Sequence, residues 1–108
     1  MNDLSTELRG HAQSCVACFP AVLSVCPGQC HPHVLLAKAM LRALANSFPE
    51  LMRTDVSDQL DEITSENLRH IQHCAGLPET GCLDKPTWNS LCRLYRAIFD
   101  RYHAPTQG

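Results

Sequence analysis

The sixteen residues from Gly76 to Leu91, GLPETGCLDKPTWNSL, constrain this chain more tightly than any other stretch. Gly76 closes a helical apolar pattern and suits a left-handed C-cap. Leu77-Pro78 and Thr80-Gly81 punctuate a tight loop, and Gly81 can take φ > 0 without a Cβ clash. Asp84 stands at a helix N-cap, with Pro86 in the first turn, where a missing N–H costs nothing. Trp88 then starts an apolar stripe that continues through Leu91, Cys92, Tyr95, Ile98, Phe99 and Tyr102 at helical spacing. This single tryptophan is expected in the core. Truncating it to alanine should cost about 3–5 kcal/mol, against a total stability of about 5–15 kcal/mol for a small domain.

The rest of the chain reads as helices separated by breakers. Asp3 to Phe19 is expected to form an amphipathic helix with Leu4, Leu8, Ala12, Cys15 and Phe19 on one side, weakened by Gly10 and stopped by Pro20. Ala21 to Val25 is short, apolar and extended, and CPGQCHPH (Cys26 to His33) is a turn. Val34 to Phe48 is a helix with Val34, Ala37, Leu41, Leu44, Ala45 and Phe48 inward, Lys38 and Arg42 on its flank, and Pro49 ending it. Residues 50–61 read as a loop dropping Leu51, Met52, Val56 and Leu60 onto the bundle. A second main helix starts at Asp61 or Glu62 and runs to about Cys74, and the last one runs to Tyr102 before a frayed tail. Val34–Lys38, Leu68–Gln72 and Trp88–Cys92 repeat one layout, so three helices can offer the same two-anchor face to a common centre. The expected partition is residues 1–22 as an N-terminal helix and link, 23–102 as a helical domain, and 103–108 as tail.

Composition narrows the function classes. A net charge of −2 without any Lys/Arg run gives no basic face for nucleic acid. No stretch approaches the ~20 apolar residues that span a bilayer. The start, MNDLSTELRG, lacks the basic and apolar regions of a signal peptide, so synthesis in the cytoplasm is expected. Seven cysteines are many for 108 residues. Without a secretory signal they read first as reduced thiols in small apolar sites. Cys15, Cys18, Cys26 and Cys30, beside His31 and His33, form the alternative: a structural zinc site, or disulfides such as Cys15–Cys26 or Cys18–Cys30. His70, His73 and Cys74 bring thiol and imidazole together on the second helix, but no acyl-transfer signature accompanies them, and a solvated helix face is expected, with Cys74 near the core. The acids Asp55, Asp58, Asp61, Glu62 and Glu66 are read as support for a helix N-terminus. No cofactor and no enzymatic activity are expected.

The stretch Leu77, Thr80, Gly81, Asp84, Thr87, Trp88 and Leu91 resembles the closing signature of the peptidoglycan-binding-domain-like family. Upstream, Gly28, Val34 and Leu41 match its first pattern, and Leu60, Thr64, Leu68, Ile71 and Gln72 its middle one. The longer link from Ser47 to Ser57 looks like the clostridial variant. Glycines of the family pattern are replaced by His31, Gln59 and Asp61. The resemblance implies an all-α fold, a small orthogonal three-helix bundle, here with an extra N-terminal helix. Its signature would be Gly28, Val34, Leu41, Thr64, Ile71, Gly81, Asp84, Trp88 and Leu91. It implies a non-catalytic module or stand-alone adaptor that binds peptidoglycan or a cell-wall or spore protein, reaching the wall by lysis, phage or sporulation. Gln72, Glu79 and Thr80 are the candidate ligand contacts, although Gln72 reads first as bonding the opposing loop. The alternative is a protein-interaction module that keeps the fold without the ligand, with a homodimer through the N-terminal helix.

Overall fold

A computed structural model describes the backbone of residues 19–103 and the side chains of residues 19–100. The elements run β1 (Ser24–Val25), α1 (Pro32–Ala45), α2 (Glu62–Ala75), β2 (Leu83–Asp84) and α3 (Lys85–His103). The described residues therefore form a mostly helical domain of three helices, with a small two-stranded sheet that an all-α reading did not include. The expected helix over Asp3 to Phe19 lies outside the described residues except for Phe19, which is not helical, and the side chain of Tyr102 also lies outside them.

Each helix starts where local chemistry can satisfy its first N–H groups. In α1, Pro32 occupies the first turn and the His31 Nδ1 accepts from the His33 N–H at 3.1 Å. In α2, Asp61 Oδ1 accepts from the Thr64 N–H at 2.9 Å. In α3, Asp84 Oδ1 accepts from the Thr87 N–H at 3.1 Å. Helix α2 ends on Gly76 at φ 73°. The Leu77 N–H returns to the Gln72 carbonyl at 2.8 Å and the Gly76 N–H to that of His73, which is the Schellman arrangement. Helix α1 stops at Ala45, earlier than Pro49 requires; the Phe48 N–H still reaches the Leu44 carbonyl at 2.9 Å as the chain turns away.

The two acid-capped helices share a sequence unit. Leu60-Asp61-x-x-Thr64-x-x-x-Leu68 is repeated as Leu83-Asp84-x-x-Thr87-x-x-x-Leu91. All four leucines are fully buried, and both aspartates are caps. The segment before α1 ties the two units together. Ser24 and Val25 pair antiparallel with Asp84 and Leu83. Farther along, the Gly28 N–H donates to the Leu60 carbonyl and the Leu60 N–H to that of Gln29, both at 2.9 Å. Between these pairings a disulfide joins Cys26 to Cys82.

Trp88 lies in the centre with no exposed surface, among Val34, Ala37, Leu41, Leu44, Leu68 and Leu91. Phe19 stacks on it with ring centroids 5.3 Å apart. Of the four anchors expected from the connecting loop, Leu51 and Leu60 are buried, whereas Met52 and Val56 are exposed. On α3 the stripe narrows: Ile98 is buried, Tyr95 half-buried and Phe99 exposed. Lys38 does not lie on a solvated flank but is completely buried, held there by partners contributed by the following loop.

Candidate functional site

The candidate ligand contacts Gln72, Glu79 and Thr80 fall at one end of α2, in and beside the loop to β2. Gln72 is buried, and its amide is fully engaged inside the protein. Nε2 shares its two hydrogens among Thr87 Oγ1 at 2.9 Å, the Cys82 carbonyl at 3.0 Å and Thr80 Oγ1 at 3.1 Å, while Oε1 accepts from the Gly81 N–H at 3.0 Å. Thr80 Oγ1 also accepts from the Cys82 N–H at 3.2 Å. Glu79 lies outside this network, with its carboxylate 2.7 Å from His73 Nδ1, both side chains largely exposed. Gly81, at φ 76°, is packed so closely that an added Cβ would collide with Ser65 Oγ, which donates to the Gly81 carbonyl at 3.0 Å. Gln72 thus shapes the loop from within, and the exposed Thr80 bonds to Gln72 and to the Cys82 N–H.

A charged counterpart sits at the start of α2. Lys38 Nζ donates to Asp55 Oδ1 at 2.5 Å and Ser57 Oγ at 3.0 Å, and lies 3.8 Å from Asp61 Oδ2. Arg42 donates to the Asp55 carbonyl at 2.6 Å. The Lys38 ammonium, with the Ser57 N–H, holds the Asp55 carboxyl below the usual carboxylate range. Partial burial would raise Asp61, but hydrogen bonds from Thr64 and the charge of Lys38 outweigh it, and its pKa too is lowered. The acids expected to serve a helix dipole therefore divide. Asp61 is a cap, and Asp55 neutralises a buried cation.

The cysteines divide: Cys92 is a buried thiol in the apolar core, as the reduced reading expects, Cys74 is an exposed thiol, and Cys26 takes a partner that none of the alternatives named. Cys26 is bonded to Cys82, so it is joined neither to Cys15 nor to a zinc ion shared with Cys15, Cys18 and Cys30. Cys15 and Cys18 lie outside the described residues, and Cys30 is an exposed thiol. Among the described residues no three His, Cys, Asp or Glu side chains converge to hold a metal ion. Burial pushes the Cys92 thiol up to about 11. His31 and His33 instead join an aromatic cluster. Their rings stack at 5.2 Å, and His33 meets Phe19 and Trp88 edge-on, each at 5.1 Å. Burial, and then the neighbouring His31, lowers the His33 pKa.

Among the described residues, a groove between α2 and α3 is able to receive a ligand, and none of the candidate residues had marked it. Its larger hollow, about 240 Å³, is lined by Ile71, Cys74, Ala75, Ser90, Arg93 and Leu94. A smaller one, about 50 Å³, adjoins it through Ile71, Cys74 and Leu94 and adds Phe48, Glu50, Leu51 and His70. The floor is apolar. At one end the Arg93 Nη2 donates to Ser90 Oγ at 3.2 Å, and at the other lie Glu50 and His70. His70, expected on a solvated face, and Cys74, expected near the core but exposed, flank this groove. Its signal in the sequence is the apolar pair Ile71 and Leu94 on two helices that also carry small residues, Ala75 and Ser90, where the helices would otherwise close. Among the described residues no helix is long and apolar enough to cross a membrane. Compared with family models, with curated proteins and with solved structures, the chain matches none.

Proposed function

We propose that this chain is a non-catalytic module that binds bacterial peptidoglycan, with the α2–α3 groove as its contact surface. One observation carries the reading. The stretch that resembles the peptidoglycan-binding-domain-like signature takes the structural roles such a signature needs: a Schellman turn at Gly76, a left-handed Gly81, a capping Asp84 and a buried Trp88. An orthogonal packing of the three helices, with residues 1–22 adding a fourth, belongs to the same reading. The Cys26–Cys82 bond supports a place of action that is oxidising, as at a cell surface.

Co-sedimentation of the full chain with purified sacculi tests the proposal. Saturable pelleting, without release of soluble wall fragments, is the expected result. Folded protein remaining in the supernatant at every sacculus concentration would overturn it.

A further inference from the structure

We infer that the α2–α3 groove takes the peptide of the wall rather than its sugar: a short segment with a free carboxylate at the Arg93 end and a free amine toward Glu50. The inference rests on the wall-binding reading for the source of that peptide, and on the groove alone for its chemistry.

The floor selects against sugar. Ile71, Ala75 and Leu94 offer methyl and methylene groups, Cys74 adds a weakly polar thiol where the hollows meet, and the charged side chains are Arg93 in the larger hollow and Glu50 in the smaller. A sugar ring carries hydroxyls around its whole edge and needs hydrogen-bonding partners along its length, since unpaired polar groups are costly to desolvate. The larger hollow also contains no aromatic ring on which a sugar face could stack. Small alanine-like side chains fit such a floor.

The ends are of opposite charge. Arg93 is exposed, and its planar guanidinium suits bidentate contact with a carboxylate, with the Ser90 hydroxyl beside it. Glu50 is exposed at the far end. Among the described residues neither takes part in an ion pair, so both charges are open to a ligand. From His70 to Ala75 the helix rises ~7.5 Å, which is the reach of about two extended residues. A peptide of about that length lies along this wall, with its terminal carboxylate for Arg93 and a side-chain amine for Glu50.

The probe is a synthetic wall pentapeptide that carries a lysine and ends in D-Ala-D-Ala. It is titrated into the full chain and followed by the backbone amide shifts of Ile71, Cys74 and Leu94. Amidating its C-terminus or acetylating its lysine should each weaken binding about tenfold, equivalent to one charge-assisted hydrogen bond. Arg93→Ala and Glu50→Gln should reproduce these two losses. Both residues are exposed, so neither change threatens folding. A chitin tetrasaccharide shifting these amides in place of the peptide overturns the inference, as does indifference to both charge modifications. Intact sacculi bound equally well after amidase removal of their peptides would also overturn it, leaving wall binding intact. Sacculi left unbound, with the pentapeptide bound and charge-dependent, would overturn the wall reading and support the groove chemistry.

Discussion

Lys38 on α1 and Gln72 on α2 do the same work with different chemistry. Each follows a fully buried anchor, Val34 or Leu68, by one helical turn. Each is itself buried, and each reaches the next loop and the start of the next helix. Lys38 meets Asp55, Ser57 and the cap Asp61. Gln72 meets Thr80, Gly81, Cys82 and Thr87. The units part where the partners differ: the Thr87 hydroxyl accepts from Gln72, whereas the buried Thr64 hydroxyl has no hydrogen-bond partner among the described residues.

Gln72→Leu should be among the most damaging conservative changes in the domain. It keeps the volume but strands the Gly81 N–H and the Cys82 carbonyl in the interior. A loss of about 2–4 kcal/mol is expected in urea unfolding, on the scale of more than one unsatisfied buried group.

Lys38→Met should be better tolerated than Asp55→Ala. The first removes a buried charge and keeps the apolar stem; the second leaves the ammonium buried with less compensation. Comparing the two midpoints in denaturant checks the order. An Asp55→Ala variant as stable as Lys38→Met would show that Ser57 and Asp61 suffice for the ammonium.

Mild acid should destabilise the domain through His33. Its folded-state pKa lies below the unfolded value of about 6.5. The unfolded chain therefore binds more protons, and stability is complete above that value and declines as pH falls through the folded pKa. Melting temperature followed from pH 7.5 downwards, to about pH 5, should fall, and His33→Phe should flatten the slope. Trp88, the chain's one tryptophan, packs against the same ring and reports the change by fluorescence. Asp55 adds a second decline in stronger acid, as its carboxylate protonates and leaves Lys38.

Reducing the disulfide should lower stability markedly. Its cysteines are 56 residues apart, and the chain-entropy model gives about 4 kcal/mol for a loop of that length. Unfolding with and without a phosphine reductant, and in Cys26→Ser, measures it.

Asp84→Ala should cost about 1 kcal/mol, the usual worth of an N-cap, through loss of the hydrogen bond to the Thr87 N–H. Asp84→Asn should restore most of it.

What could be read in the chain was what neighbours decide. The cap at Asp84, the left-handed Gly76 and the start of the stripe led by Trp88 each depend on residues within a turn or two, and these are found, whereas farther along Tyr95 is half-buried and Phe99 exposed. The burial of Lys38 depends on Asp55 and Ser57, 17 and 19 positions away, and in the helix alone a lysine reads as flank. The partner of Cys26 lies farther still and was sought among the nearest cysteines. The duplicated Leu-Asp-x-x-Thr unit stood in the sequence and would have shown that Leu60 and Leu83 are equivalent. Of the groove, only the apolar pair Ile71 and Leu94 and the small Ala75 and Ser90 stood in the sequence; the hollow itself depends on how closely α2 and α3 approach.

The strip from Ser24 to His31 binds the starting points of both duplicated units, one through β2 and the Cys26–Cys82 bond, the other through Leu60. Although the pattern is twofold, neither half is autonomous. A chain begun at Pro32 would retain every described helix and lose the clasp that sets one unit against the other. A strip made before both units must therefore wait for β2 to be made before its own pairing is complete.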